Sequence, residues 1–287
     1  MRLDEFDPDA IKVEDQRGGL RGLPSGRGGQ IGCGSIVIAL IAALVFGVDL
    51  GQMLGQLDQG QAPAIEGPAQ SAESESQFCR TDASSLQMCN TLMSLNKTWA
   101  PLFRAANIPF SDPKLVFYSQ AGRSGCGSAQ SAMGPFYCPA DQGIYLDTDF
   151  FGQMDRELGA SGKFARDYVI AHEYGHHIQK LTGVSDQIRS LQSQNPGKAN
   201  ALSVRLELQA DCYAGVWAAK NRDRLESGDM ESGLNAANAI GDDTLMRNAG
   251  GRANPESFTH GTSAQRVEWL RKGMQAGDDS VCDALMR

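Results

Sequence analysis

The sequence predicts an α+β protein, whose folded domain is mostly helical with a small sheet or hairpin and follows a single transmembrane helix. Apolar residues recur at helical spacing over residues 84–104. Two short apolar runs, 136–138 and 144–146, bracket a five-residue turn and indicate a hairpin. Residues 28–48 carry no charge, and this run has about the 20-residue length that crosses a bilayer.

The other predicted elements lie between residue 110 and the C-terminal end of the sequence. A strand is expected at 115–118, between a proline and a glycine-rich loop. One long helix is expected at 162–181, closed by Gly183, and a second from the Pro196-Gly197 breaker to residue 221. Two further helical stretches are expected at 230–247 and 263–275.

The 287-residue chain is 41% hydrophobic and 21% charged, an ordinary globular composition with room for one core and an appendage. Its formal net charge is −8. Nucleic acid is therefore not expected as a partner, because phosphate binding needs a basic face. Arg17, Arg21 and Arg27 precede the uncharged run, which places the N-terminus in the cytoplasm by the positive-inside rule.

The uncharged run is interpreted as a retained membrane anchor. A buried core helix rarely runs this long without a polar face. A cleaved signal peptide needs a small-x-small site, which residues 48–51 do not provide. We therefore expect a single-pass protein of the inner (cytoplasmic) membrane with an extracytoplasmic, periplasmic domain. Its expected parts are a disordered cytoplasmic tail at 1–30, a transmembrane anchor at 31–50, a flexible stalk at 51–77 and a folded domain at 78–287.

Cysteine usage also indicates export of the domain. Cys33 lies at the expected membrane boundary, and the domain holds an even set of six further cysteines without a C-x-x-C pair. Six cysteines allow fifteen pairings, and buried free thiols are the alternative. Local spacing and elimination favour the pairs Cys79–Cys89, Cys126–Cys138 and Cys212–Cys282.

The segment HEYGH, residues 172–176, predicts a zinc site on a helix. His172 and His176 lie one turn apart on the same helical face, as two ligands of a tetrahedral ion require. Glu173 can act as general base toward a zinc-bound water. The alternative is a pair of surface histidines. Gly175 costs about 1 kcal/mol against alanine, which is expected where another backbone packs closely, and His177 points elsewhere in a structural or supporting role.

A catalytic zinc needs a third protein ligand, and Glu207 is the residue expected to supply it. Glu207 and Asp211 are again four residues apart, in an apolar setting that does not suit unpaired carboxylates. Asp211 is expected to accept the N–H of a liganding histidine. The alternative is two surface acids on an amphipathic helix. We favour the metal ligand, because the zinc site would otherwise lack its third protein ligand.

H-E-x-x-H followed about thirty residues later by E-x-x-x-D resembles the glutamate-zincin peptidases. Four stretches carry a closer resemblance: GPFYCPAD at 134–141, AHEYGHH at 171–177, ELQADCYAG at 207–215 and SFTHGTS at 257–263. In these the chain resembles a bacterial family of membrane-anchored neutral zinc metallopeptidases, from residue 78 onward and including an N-terminal anchor. That resemblance implies a zincin-like fold and a zinc cofactor.

A second resemblance concerns His260 and Arg266. Membrane zinc peptidases of the prenyl-protein and heat-shock type carry a His and, six positions on, an Arg, although the Pro that usually follows the His is Gly261 here. This implies that His260 donates a hydrogen bond to the oxyanion while Arg266 orients a carboxylate near the metal. The alternative is a helix-start histidine with a surface arginine.

The expected function is a zinc-dependent endopeptidase of the cell envelope, acting on a peptide or protein substrate. Glu173 would take the proton of the attacking water, and a strand of the hairpin would pair with an extended substrate, as in zincins. Three alternatives use the same zinc site. They are a catalytically idle ectodomain that binds partners or assists envelope assembly, a hydrolase of amides in lipid or cell-wall fragments, and a purely structural zinc protein.

Overall fold

The structure is a computed structural model that describes residues 1–17, 77–131, 134–157 and 162–286. The expected anchor at 31–50 and nearly all of the expected stalk lie outside the described residues. Within the described ranges, no helix has the length and apolar character needed to cross a membrane.

The described residues form a set of helices and two small sheets. The helices are α1 Ala83–Ala105, α2 Phe150–Glu157, α3 Lys163–Leu181, α4 Val184–Gln194, α5 Ala199–Lys220, α6 Asp229–Ala239, α7 Asp242–Asn248 and α8 Ser263–Ala276. The strands are β1 Lys12–Asp15, β2 Lys114–Tyr118, β3 Ala121–Ser124, β4 Gly127–Gln130, β5 Phe136–Cys138 and β6 Gly143–Asp147.

The four-stranded sheet has the order β1-β2-β6-β5 and mixed direction. β1, β2 and β6 are parallel, whereas β5 and β6 form the antiparallel hairpin that the sequence indicates. Phe136 and Tyr145 are directly paired in that hairpin, and their rings stack with centroids 4.9 Å apart. β3 and β4 form a separate two-stranded antiparallel sheet.

One helical prediction was wrong in detail, and one helix was not predicted. The expected helix at 230–247 is divided into α6 and α7, and Gly241 between them lies against the backbone of Ser263, where a side chain would clash. No element was predicted between Gly183 and Asn195, where the structure has α4. Its apolar side is narrow, and Ile188 is the buried residue in it.

The N-terminal residues form part of the folded body. β1 pairs in register with β2, and Arg17 donates to the carboxylate of Asp15 and to the hydroxyl of Ser85 near the start of α1. The expected disordered tail at 1–30 is therefore wrong for residues 1–17. Four side chains of this segment enter the core: Met1, Phe6, Ile11 and Val13.

α5 packs between α3 and α8. A methyl group on Gly175 would lie 2.7 Å from the Cα of Ala210, so α3 and α5 are in backbone contact there. The expectation of a close backbone at Gly175 is confirmed. Gly215 and Gly273 play the same role between α5 and α8, where each faces backbone atoms of the opposite helix. These contacts set the spacing of the helices that carry the candidate site.

Three disulfides staple the domain, in the pairing expected from the sequence. Cys79–Cys89 joins the segment before α1 to α1 itself. Cys126–Cys138 joins the turn between β3 and β4 to β5. Cys212–Cys282 joins α5 to the C-terminal 3₁₀ segment Asp279–Met286, 70 residues further along the chain. Five of these six cysteines are fully buried, and Cys126 is exposed.

Candidate metal centre

Three potential ligands converge from α3 and α5. His172 and His176 lie on α3 and Glu207 on α5, and one ligand atom from each lies within 4.8 Å of the others. The Nε2 atom of His172 is 3.1 Å from one carboxylate oxygen of Glu207, and that of His176 is 3.5 Å from the other.

This arrangement fits a tetrahedral zinc ion. Zn–N and Zn–O bonds near 2.0–2.1 Å imply separations of about 3.3 Å between neighbouring ligand atoms. The two observed contacts, at 3.1 and 3.5 Å, involve different carboxylate oxygens of Glu207 and both lie close to that distance. The donor set of two imidazoles and one carboxylate is also that of a catalytic rather than a structural zinc site, because it leaves a position for water.

Each imidazole is held through its other nitrogen, so that Nε2 faces the centre. The Nδ1 atom of His172 is 2.8 Å from a carboxylate oxygen of Asp211, as the sequence predicts for this pair. The Nδ1 atom of His176 is 2.9 Å from the amide oxygen of Gln179, a contact that sequence reasoning missed. Such partners fix the tautomer and the ring orientation of a metal-binding histidine.

Asp211 is fully buried and is balanced by two buried donors. Arg266 binds it through two nitrogens at 2.9 and 3.0 Å, and the Tyr168 hydroxyl donates to it at 2.6 Å. Burial alone would raise the pKa of Asp211, but Arg266 and His172 lower it. The carboxylate therefore stays charged behind His172. Tyr168 was also missed, although it lies four residues before His172 on the same helical face.

The charges around the three candidate ligands favour the binding of a cation. Burial opposes charge on Glu207, yet the neighbouring imidazoles hold its pKa well below the ordinary value. Burial would lower the pKa of His172, but Asp211 and Glu207 raise it to about 9. The pKa of His176 is raised by Glu207 against the same opposition from burial. Protons and a divalent cation would compete for this position.

Glu173 lies beside the ligands without being one of the three convergent donors. It is buried, with 7% of its surface exposed, and burial raises its pKa despite the opposing charge of the two imidazoles. A carboxylate with a raised pKa is a stronger proton acceptor than an exposed one, which suits a general base.

Burial opposes charge on the imidazole, but the hydrogen bond to Asp242, together with the charge of the nearby Glu207, raises the pKa of His260. Its Nδ1 atom is 3.1 Å from Asp242, which is fully buried. The other oxygen of Asp242 accepts the backbone N–H groups of Thr259, His260 and Gly261. The side chain of His260 is 45% exposed, so its remaining nitrogen is accessible to a ligand. Asp242 was missed, since no sequence spacing connects it to His260.

His177 points away from the ligand set. Its Nε2–H donates to the carbonyl of Ser111 at 2.7 Å, and its Nδ1 accepts from the Tyr137 hydroxyl at 3.0 Å. The carbonyl of Ser111 can only accept, so Nε2 carries a proton, and in the neutral ring Nδ1 accepts from the Tyr137 hydroxyl. Burial lowers the pKa of His177 from 6.5 to about 4. This histidine therefore links α3 to β5 and to the loop before β2.

The neutral state of His177 predicts acid sensitivity. The unfolded chain takes up this proton near pH 6.5, whereas the folded chain resists it until about pH 4. Stability present above pH 6.5 is thus lost as the pH falls toward 4, by up to about 1.4 kcal/mol per unit. Urea unfolding of the wild type and of His177→Gln between pH 7.5 and 4.5 measures the difference. Parallel pH profiles would contradict a neutral buried His177.

Comparisons with known proteins identify the family of this chain. The model of the family described as "Putative neutral zinc metallopeptidase" matches residues 6–285. The chain is 43% identical over 286 residues to "Uncharacterized protein YpfJ" of Escherichia coli (strain K12), with 94% of each chain covered. It is 39% identical over 263 residues to "Uncharacterized protein Rv2575" of Mycobacterium tuberculosis (strain H37Rv), with 84% of each covered. No solved structure gives a significant match. The family match spans the N-terminal segment and the whole domain, so this chain belongs to the neutral zinc metallopeptidase family.

Proposed function

We propose that this protein is a zinc-dependent endopeptidase of glutamate-zincin type, with a zincin-like site built on α3 and α5. The observation that carries the proposal is the convergence of His172, His176 and Glu207 within 4.8 Å, with the buried Glu173 beside them. Family membership supports zinc as the metal and hydrolysis as the reaction.

When bound, zinc lowers the pKa of a water molecule and polarises the scissile carbonyl. Residues of the chain supply the proton transfer, the oxyanion contact and the orientation of a ligand. Glu173 accepts the proton of the attacking water and returns it to the leaving amine. His260 donates a hydrogen bond to the developing oxyanion from the nitrogen that Asp242 leaves free. Asp211 and Arg266 hold His172 in the tautomer that presents Nε2 to the metal.

An extended peptide is the substrate form that the sheet favours. Among the described strands, β5 ends the four-stranded sheet and pairs on one side alone, with β6. It lies next to α3, where Tyr137 and His177 meet with ring centroids 5.4 Å apart. A substrate strand added to β5 would run alongside the helix that carries the catalytic residues.

The cell envelope is the proposed location of the active domain. Three disulfides favour an oxidising compartment outside the cytoplasm. The expected cytoplasmic N-terminus does not agree with the packing of residues 1–17 on the domain. We therefore propose that this segment lies with the domain on the outer side of the cytoplasmic membrane.

Metal analysis and a peptide-cleavage screen of the full-length chain test the function. The wild type is expected to retain about one zinc ion and to cleave internal peptide bonds. Glu207→Ala should lose the metal and the activity together, whereas Glu256→Ala, at an exposed position, should keep both. A wild type without zinc would overturn the proposal. A zinc-loaded wild type that cleaves no peptide would favour the idle ectodomain or the amide hydrolase.

A further inference from the structure

The two metal-facing histidines are held by chemically different partners. His172 is held by the charged Asp211, whereas His176 is held by the neutral amide of Gln179. Gln179 is fully buried and lies three residues after His176 on α3, so the two side chains share one helical face. A buried amide is costly unless every polar atom has a partner.

Both polar atoms of the Gln179 amide have partners, and three of its four hydrogen-bonding positions are used. Its oxygen faces the Nδ1 atom of His176 at 2.9 Å. Its nitrogen donates to the backbone carbonyl of Leu206 at 2.7 Å and to the side-chain oxygen of Gln209 at 3.0 Å. Leu206 directly precedes the ligand Glu207, so this amide bridges the two helices between His176 and Glu207.

These partners permit a single orientation of the amide. In a flipped amide, the oxygen of Gln179 would face the carbonyl of Leu206 and the oxygen of Gln209, which are both acceptors. Gln209 is constrained in the same sense, because its nitrogen donates to the carbonyl of Cys282 at 3.5 Å. That carbonyl belongs to the segment fixed to α5 by the Cys212–Cys282 disulfide.

The orientation of the amide determines the tautomer of His176. An amide oxygen requires a proton on Nδ1, and a neutral imidazole with that proton has its lone pair on Nε2. Nε2 is the atom that faces Glu207 at 3.5 Å. The opposite tautomer would place a proton where a metal ion must bind.

We propose that Gln179 is the positioning residue of the second histidine ligand, and that the carbonyl of Leu206, supported by Gln209, sets the His176 tautomer through it. The inference rests on the zinc site of the proposed function. It predicts that removal of the amide weakens zinc binding without removal of any ligand. Gln209 should matter less, since the carbonyl of Leu206 alone still excludes the flipped amide.

Zinc affinity, measured by competition with a chelator, tests this on the full-length protein. Gln179→Met should lower the affinity about 10–100-fold, the usual effect of losing such a partner. Gln209→Met should lower it less, and Gln187→Met, at an exposed position of α4, should leave it unchanged. Near-UV circular dichroism of each zinc-free variant reports whether the fold persists.

A second measurement does not depend on any variant folding. In the zinc-loaded wild type, ¹⁵N-edited NMR should show a His176 Nδ1 proton that exchanges slowly, because it is buried against Gln179. Wild-type zinc affinity in a folded Gln179→Met protein, or the absence of that Nδ1 proton, would overturn the inference. Failure of the wild type to bind zinc would instead overturn the proposed function.

Discussion

Glu173→Gln is expected to lower peptide hydrolysis about 10²–10⁴-fold while the zinc content stays at the wild-type level. The amide keeps the size of the side chain but cannot accept the proton of the attacking water. Burial raises the pKa of Glu173, so the wild-type carboxylate is a stronger base than an exposed one. The variant has no carboxylate at this position. The three convergent metal donors are untouched. Initial rates on the best peptide from the screen, together with metal analysis, provide the measurement.

His260→Ala is the informative comparison for Glu173→Gln. Loss of a single oxyanion donor costs about 10²–10³ in rate, so this variant should keep its zinc and a measurable residual activity. Loss of zinc from Glu173→Gln would show that the carboxylate is a ligand. Unchanged hydrolysis in Glu173→Gln would rule out Glu173 as the general base and favour a reaction at another site.

The convergence of the three candidate metal ligands could be predicted for two reasons. His172 and His176 follow from helical periodicity, and Glu207 follows from the third ligand that a catalytic zinc requires. Tyr168 and Gln179 lie four residues before His172 and three after His176, so the same periodicity contains them. It gives no reason to select them, because a Tyr or Gln on a helix carries no specific signal for a metal.

Asp242 and the N-terminal strand were missed for a different reason. Asp242 meets His260 across 18 residues through contacts that form only in the folded chain. Residues 1–17 are rich in charge, and their few apolar side chains are too sparse for a periodic pattern. These side chains are buried because β1 pairs with the edge of β2, and the sequence alone does not show that this edge is free to accept a strand.

Deletion of residues 1–17 is expected to prevent stable folding of the domain. Met1, Phe6, Ile11 and Val13 are buried, and a fully buried apolar side chain contributes about 1.5–3 kcal/mol. Four such side chains approach the total stability of an ordinary domain, about 5–15 kcal/mol. The deletion also removes the ladder between β1 and β2. Soluble yield and urea unfolding of the truncated and full-length chains measure the effect.

A pair of point variants separates burial from charge in the same strand. Val13→Asp places a carboxylate in the core, since the side chain is only 3% exposed, and should destabilise the protein strongly. Lys12→Asp changes the neighbouring exposed position and should have little effect. Equal stability of Val13→Asp and Lys12→Asp would show that β1 does not pack on the domain in solution.

The N-terminal strand also constrains membrane topology. β1 and β2 are paired neighbours, whereas the uncharged run lies between them in sequence. A single crossing of the bilayer between Arg17 and Gln77 would place the two strands on opposite sides. We therefore expect β1 and β2 to lie on the same side of any membrane.

Cysteine labelling tests that requirement directly. Single cysteines at the exposed positions Asp9 and Glu256, in a Cys33→Ser background, report on the two parts of the chain. A membrane-impermeant maleimide added to intact protoplasts should label both positions to the same extent. Labelling of Glu256→Cys without Asp9→Cys would establish a single crossing, and β1 would then have no means of reaching β2. Equal labelling would place the N-terminal strand on the same side of the membrane as residue 256, as its pairing with β2 requires.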